Sequence, residues 1–178
     1  MFDTILLALD TDEDYSSVFN QALDQAVATG AVLKLLGAIM PANNNTMPLA
    51  AYYPEFVGYP MTISNQMWED CRKRYDIYKK SAEAKLMRLA KQAAAVGVRA
   101  EVMQVEGAPG RAICDCAKSD SADLIIMGSH GRKGLSEIFM GSVSNYVTHH
   151  APCSVLIVHT SPNNQEQKET AEVAEMAV

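Results

Sequence analysis

Three short runs are continuously apolar but for a leading Thr4 and Ser154: TILLAL (4–9), LIIM (124–127) and SVLIV (154–158). A strand with one wet face alternates apolar and polar residues, so a continuous apolar run of this length fits a strand covered on both faces. Longer segments with apolar residues every three or four positions lie between such runs, which is the pattern of a parallel sheet flanked by helices. After the first run, DTDEDYS supplies capping residues for a helix with Val18, Ala22, Leu23, Ala26 and Val27 on one face, ended by Gly30. AVLKLLGAIM (31–40) reads as the second strand. From 63 to 96, Trp68, Cys71, Tyr75, Tyr78, Ala82, Leu86, Leu89, Ala93 and Val96 mark one long amphipathic helix closed by Gly97. VRAEVMQV (98–105) alternates and so suits a sheet edge, whereas LIIM and SVLIV belong inside or at an interface. Pro109 starts a helix with Ile113, Cys116 and Ala117 facing in, and a last helix runs from 142 to 150.

The remaining segments set the limits of the domain. With 178 residues, 48% of them hydrophobic, the chain suits one soluble domain over 1–160. PANNNTMPLAAYYPEFVGYP, with its four prolines, makes 41–62 an irregular loop, and 161–178 is a polar tail rich in Glu and Gln, expected to be mobile. No run approaches the ~18 apolar residues of a membrane span, and MFDTILLALDTDEDY lacks the basic start of a signal peptide, so the expectation is a cytoplasmic protein with no membrane contact. Cysteines 71, 114, 116 and 153 are few and irregularly spaced, which favours reduced thiols. A formal net charge of -6 argues against a nucleic-acid surface, because that binding rests on Lys and Arg. An anionic ligand must find a local site.

One stretch offers such a site. DLIIMGSHGRKGLSEIFMGS (123–142) places Gly128, Gly131, Gly134 and Gly141 directly after the fourth strand. Ligands of open parallel sheets bind outside the carboxyl ends of the strands. Gly128 and Gly131, free to take positive φ, would turn successive N–H groups toward one point. Gly141 and Ser142 then open a helix whose unpaired N–H groups and positive dipole end favour phosphate. Arg132 and Lys133 add positive charge. The same glycines also fit an ordinary strand-to-helix turn with a Ser cap, and the physics of the stretch leaves both readings open. Neither G-x-x-x-x-G-K-[ST] nor G-x-G-x-x-G occurs.

The spacing G-x-x-G, nine residues, then G-[ST], formed by Gly128, Gly131, Gly141 and Ser142, resembles the ATP-binding branch of the universal stress protein A family. The resemblance covers about 2–159 and includes Asp10, the EGAP turn (106–109) and APCSVLIVH (151–159). It implies a doubly wound five-stranded parallel sheet of order 3-2-1-4-5, with ATP (or AMP or ADP) beside the first and fourth strands and a homodimer formed through 154–158. Carried over by position, Met127 and the backbone of Gly128, Ser129, His130, Gly131, Arg132, Lys133 and Gly134 would hold ribose and phosphates. They would be joined by the backbone of Ser142, Val143 and Ser144, beside Gly141, and by the Ser142 and Ser144 hydroxyls. Ala8, Leu9 and Asp10 would line the nucleoside side, and the Ala38 backbone would meet adenine. Many members continue the first strand as Asp-Gly-Ser, whereas this chain has Asp10, Thr11 and Asp12, then Glu13 and Asp14. Carboxylates near a polyphosphate cost Coulomb energy unless they turn away or share Mg²⁺, which the phosphates would otherwise carry.

Other chemistries fit less well. Asp10, Asp12 and Asp14 evoke a phosphoacceptor pocket, but Gln104, Val105 and Glu106 stand where a further Asp is needed. Cys114 and Cys116 on one helix would face different directions and read as buried thiols rather than as metal ligands. His149 and His150 suit the end of the last helix. His130 lies in the glycine loop with no partner that completes a catalytic set. Tyr52, Tyr53, Phe56 and Tyr59 in the long loop would cover a base or a partner. The leading expectation is a regulatory nucleotide-binding protein acting on an unidentified protein partner, with slow ATP hydrolysis at most. An ATP-using transferase with the long loop as its lid, and a ligand-free dimerisation module, are the alternatives.

Overall fold

The computed structural model describes residues 1–10, 15–39, 65–129 and 140–159. Asp12, Asp14, the loop aromatics, 130–134 and the tail 161–178 lie outside them. In chain order the elements are β1 (Thr4–Leu9), α1 (Ser16–Thr29), β2 (Val32–Ile39), α2 (Asn65–Ala95), β3 (Ala100–Glu106), α3 (Pro109–Ser119), β4 (Leu124–Gly128), α4 (Ser142–His150) and β5 (Ser154–Val158). All strand pairings are parallel and the order is β3-β2-β1-β4-β5.

The continuous apolar runs are explained by a core on each side of the sheet. Side chains alternate across a strand, so Ile5, Leu7, Leu33, Leu35, Leu124 and Ile126 pack with Val18, Phe19 and Ala22 of α1 and Leu86, Leu89 and Ala93 of α2. Leu6, Ala8, Leu36, Ile125 and Met127 point the other way, against Ile113, Cys114 and Ala117 of α3 and Val147 of α4. β1 and β4 are therefore buried on both faces, as their sequences require. β3, which alternates, is one edge, and β5 is the other, with Val155, Leu156, Ile157 and Val158 only half-buried.

Some side chains depart from the periodic reading. Val27 and Val96 are 58% and 55% exposed, while Phe19 is buried. The buried stripe of α1 is Val18, Phe19, Ala22 and Ala26, which turns Val27 to solvent. Val96 lies past the end of α2. In α3 it is Cys114 rather than Cys116 that is buried with Ile113 and Ala117. Gly30 (φ 74°) and Gly97 (φ 82°) stop their helices in the left-handed conformation. A Cβ on Gly110 would stand 2.8 Å from Cδ1 of Tyr146, so this glycine is what lets α3 and α4 approach so closely.

Candidate functional site

The chain leaves β1 toward β2 on one side, and β4 lies on the other side of β1, so the crevice between them opens at the carboxyl ends of Leu9 and Gly128. Ala8 and Met127 are register partners across β1 and β4, and Leu9 pairs with Gly37 on β2, one residue before Ala38. The resemblance-implied residues Ala8, Leu9, Ala38, Met127 and Gly128 thus share one rim, with exposed Asp10 just past the end of β1. Ala8, Leu9 and Met127 are buried with their side chains in the core clusters, so what they offer a ligand is backbone.

Gly128 is the last residue of β4 and pairs with Val158. It belongs to the strand, so the turn expected at this glycine begins one residue later. The Ser129 N–H donates to the Val158 carbonyl at 2.9 Å, and the Ser129 carbonyl accepts the Gly141 N–H at 2.9 Å. The two ends of 130–140 are therefore held against each other. Residues 130–134 themselves lie outside the described residues.

Ser144 reinforces this closure. Its side chain is 2% exposed, and its single hydroxyl proton serves the carbonyl oxygens of Ser129 and Gly141, each 2.9 Å away. The hydroxyl that the resemblance directs to ribose or phosphate thus donates within the chain. Gly141 is the N-cap residue, with extended ψ of 155° and no side-chain cap. The first helical hydrogen bond runs from Asn145 N–H to the Gly141 carbonyl. The N–H groups of Ser142, Val143 and Ser144 precede it and have no acceptor inside the helix. The first turn carries no acidic residue and Ser142 is exposed, so this end of α4 fits an anion.

Beside the rim, Glu106 at the end of β3 pairs with Lys79 of α2 at 2.7 Å. The Lys79 ammonium holds the Glu106 carboxyl below the usual range, and Gly107 N–H bonds to the Ile39 carbonyl at 2.9 Å. Apolar spacing marked α2 and the resemblance marked EGAP, but no local signal joined Lys79 to Glu106 across 27 residues. The opposite end of the sheet is occupied by structural polar contacts. Asp123 accepts the Asp3 and Thr4 N–H groups at 2.8 and 2.9 Å, and Lys34 bridges Asp120 and Glu101 at 3.0 and 3.3 Å. Burial raises the thiol pKa values of Cys114, Cys116 and Cys153, which keeps these sulfurs protonated and poor nucleophiles.

Comparison with known proteins agrees with this architecture. A model of the universal stress protein family matches residues 1–159. A universal stress protein of Synechocystis sp. is 35% identical over 157 residues, 88% of this chain and 97% of its own length. The solved structure of MJ0577 from Methanocaldococcus jannaschii superposes with a TM-score of 0.65 at 24% identity, over 92% of this chain and 99% of that one, a likeness of fold. A universal stress protein solved in complex with cAMP gives a TM-score of 0.56 at 26% identity, over 90% of this chain and 98% of that one.

Proposed function

The chain belongs to the universal stress protein family, and from that premise we propose that it is a cytoplasmic regulatory protein that binds an adenine nucleotide at the carboxyl ends of β1 and β4. The observation that carries this reading is the closure of Gly141 and Ser144 onto the Ser129 carbonyl. It ties the start of α4, with its open N–H groups, to the mouth of β4, which supports a site where an anion meets oriented donors. The complex of a 26%-identical relative with cAMP supports an adenine nucleotide as the ligand class.

In the finer form of the proposal the ligand is ATP. Its phosphates lie on the α4 amides and on the glycine stretch 128–134, with Arg132 and Lys133 adding charge, while the ribose and base face Asp10, Leu9 and Ala38. Mg²⁺ arrives on the phosphates and neutralises part of their charge. That matters because Asp10 and its acidic neighbours 12–14 repel a bare polyphosphate. Two copies pair through β5, and occupancy of the site alters contacts with a protein partner.

The test is to denature the purified protein, identify any released nucleotide, and measure the thermal shift with ATP, AMP and cAMP, each with and without Mg²⁺. A ligand at about 100 times its Kd adds ~2.7 kcal/mol to stability. Absence of both released nucleotide and any shift would refute the proposal. A Mg²⁺-independent shift with AMP or cAMP equal to that with ATP would retain the site and reject the triphosphate.

A further inference from the structure

The chain is acidic as a whole, yet α2 carries eight basic residues, Arg72, Lys73, Arg74, Lys79, Lys80, Lys85, Arg88 and Lys91, against four acidic ones. Part of that charge lies on one solvent stripe. Lys73, Ile77, Lys80, Ala84, Met87 and Lys91 follow one another at steps of four and three, and all six are exposed. Ile77 is 68% and Met87 48% exposed, so the stripe offers apolar as well as basic groups to a partner. Among the described residues, no carboxylate lies within ion-pair distance of Lys73, Lys80 or Lys91.

The chain also contains a segment of complementary chemistry. After β5 the sequence SPNNQEQKETAEVAEMAV places Glu166, Glu169, Glu172 and Glu175 at a spacing of three, interleaved with Ala171, Val173, Ala174 and Met176. The family match ends at 159, so this segment is an addition to the shared domain. We propose that residues 169–176 of the chain's own tail dock along the Lys73, Ile77, Lys80, Met87 and Lys91 stripe of α2, glutamates against lysines and small apolar side chains against Ile77 and Met87.

Topology allows the reach. β5 ends at the carboxyl edge of the sheet, and the Lys79–Glu106 contact sets that part of α2 level with the same edge. From β5 to the β2–β3 pair under α2 is three to four strand spacings, about 15–19 Å, and crossing a helix layer adds ~10 Å. The ten residues from 160 to 169 extend to about 33 Å, enough to bring Glu169, and with it Glu172 and Glu175, to the stripe.

Zero-length carbodiimide cross-linking of the full chain, prepared as an equal mixture of ¹⁵N- and ¹⁴N-labelled protein, tests this directly. The expected products join tail glutamates to Lys73, Lys80 or Lys91 within one chain, and their yield falls several-fold on going from about 0.01 M to about 1 M salt. The variant K73E/K80E should lose them, and combining it with E169K/E172K should restore reverse-polarity links. Both variants change only exposed or tail residues. As a second readout, E166Q/E169Q/E172Q/E175Q should shift the Met87 and Ile77 methyl resonances. Links spread over all accessible lysines, links only between isotopically mixed chains, or unshifted methyls would overturn the proposal. So would binding to phosphatidylserine vesicles through the stripe that the tail variants leave unchanged.

Discussion

The Ser144 hydroxyl oxygen stands 2.9 Å from the carbonyl oxygen of Ser129, fifteen residues earlier in the chain, and both side chains are buried. This contact and the Gly141 N–H bond to the same carbonyl tie the start of α4 to the mouth of β4.

Ser144→Ala removes the hydroxyl while leaving the Gly141 bond to Ser129. The expected loss is about 1 kcal/mol, a melting temperature lower by about 2–4 °C. The nucleotide-induced thermal shift should fall by more than this stability loss explains, because the donors of α4 are then less well held. An unchanged ligand shift would show that the tie serves only the fold.

Gly128→Val keeps the strand, for which Val is a good residue, but adds bulk where the proposed phosphates approach. Affinity for ATP by calorimetry should drop tenfold or more, about 1.4 kcal/mol, with urea stability close to that of the parent. Equal binding would remove Gly128 from the site.

Gly110→Ala should destabilise by about 1–3 kcal/mol, since the new methyl meets the Tyr146 ring at 2.8 Å. Adding Tyr146→Ala should recover part of the loss and not all, because the Tyr146 Cβ also lies only 3.1 Å from that position. Additive losses in this double-mutant cycle would mean that the two residues do not meet.

Asp123 has its pKa lowered by the Thr4 and Asp3 N–H groups. A carboxylate depressed in the folded state stabilises above its unfolded pKa, ordinarily ~3.9, and that contribution vanishes as pH falls through the folded value. Asp123→Asn should therefore narrow its gap from the parent as pH drops below about 4, read from melting temperatures across an acid series. A constant gap at every pH would reject the ionic origin of the effect.

Ile157→Lys places a charge on the half-buried edge strand proposed to join two copies. Light scattering should report a dimer for the parent chain and a monomer for the variant, with circular dichroism unchanged. A parent that is already monomeric would rule out the β5 pairing.

Much of the fold is legible in the sequence because burial on two faces leaves an unmistakable record. LIIM has no polar position and TILLAL none after Thr4, VRAEVMQV alternates, and the structure makes the first two interior strands and the third an edge. SVLIV reads as a strand inside or at an interface, and the structure makes it the other edge, where the order 3-2-1-4-5 puts it. Periodicity could not settle Val27 and Val96, where a helix turns or ends by a few degrees, nor choose Cys114 over Cys116. In the candidate site, glycine spacing marked the segment and its family. The bonding at its base depends on distances between residues far apart in sequence.

The sequence by itself determined the element order, the buried strands and the glycine pattern, because each is written in the local alternation of residue types. Only the tertiary structure decided that Ser144 donates inward to Ser129, that Tyr146 needs Gly110 beneath it, and that Lys79 meets Glu106. Such pairings arise when separate elements pack on one sheet, and a hydrogen bond or a van der Waals contact forms only where that packing brings two atoms within a few ångströms.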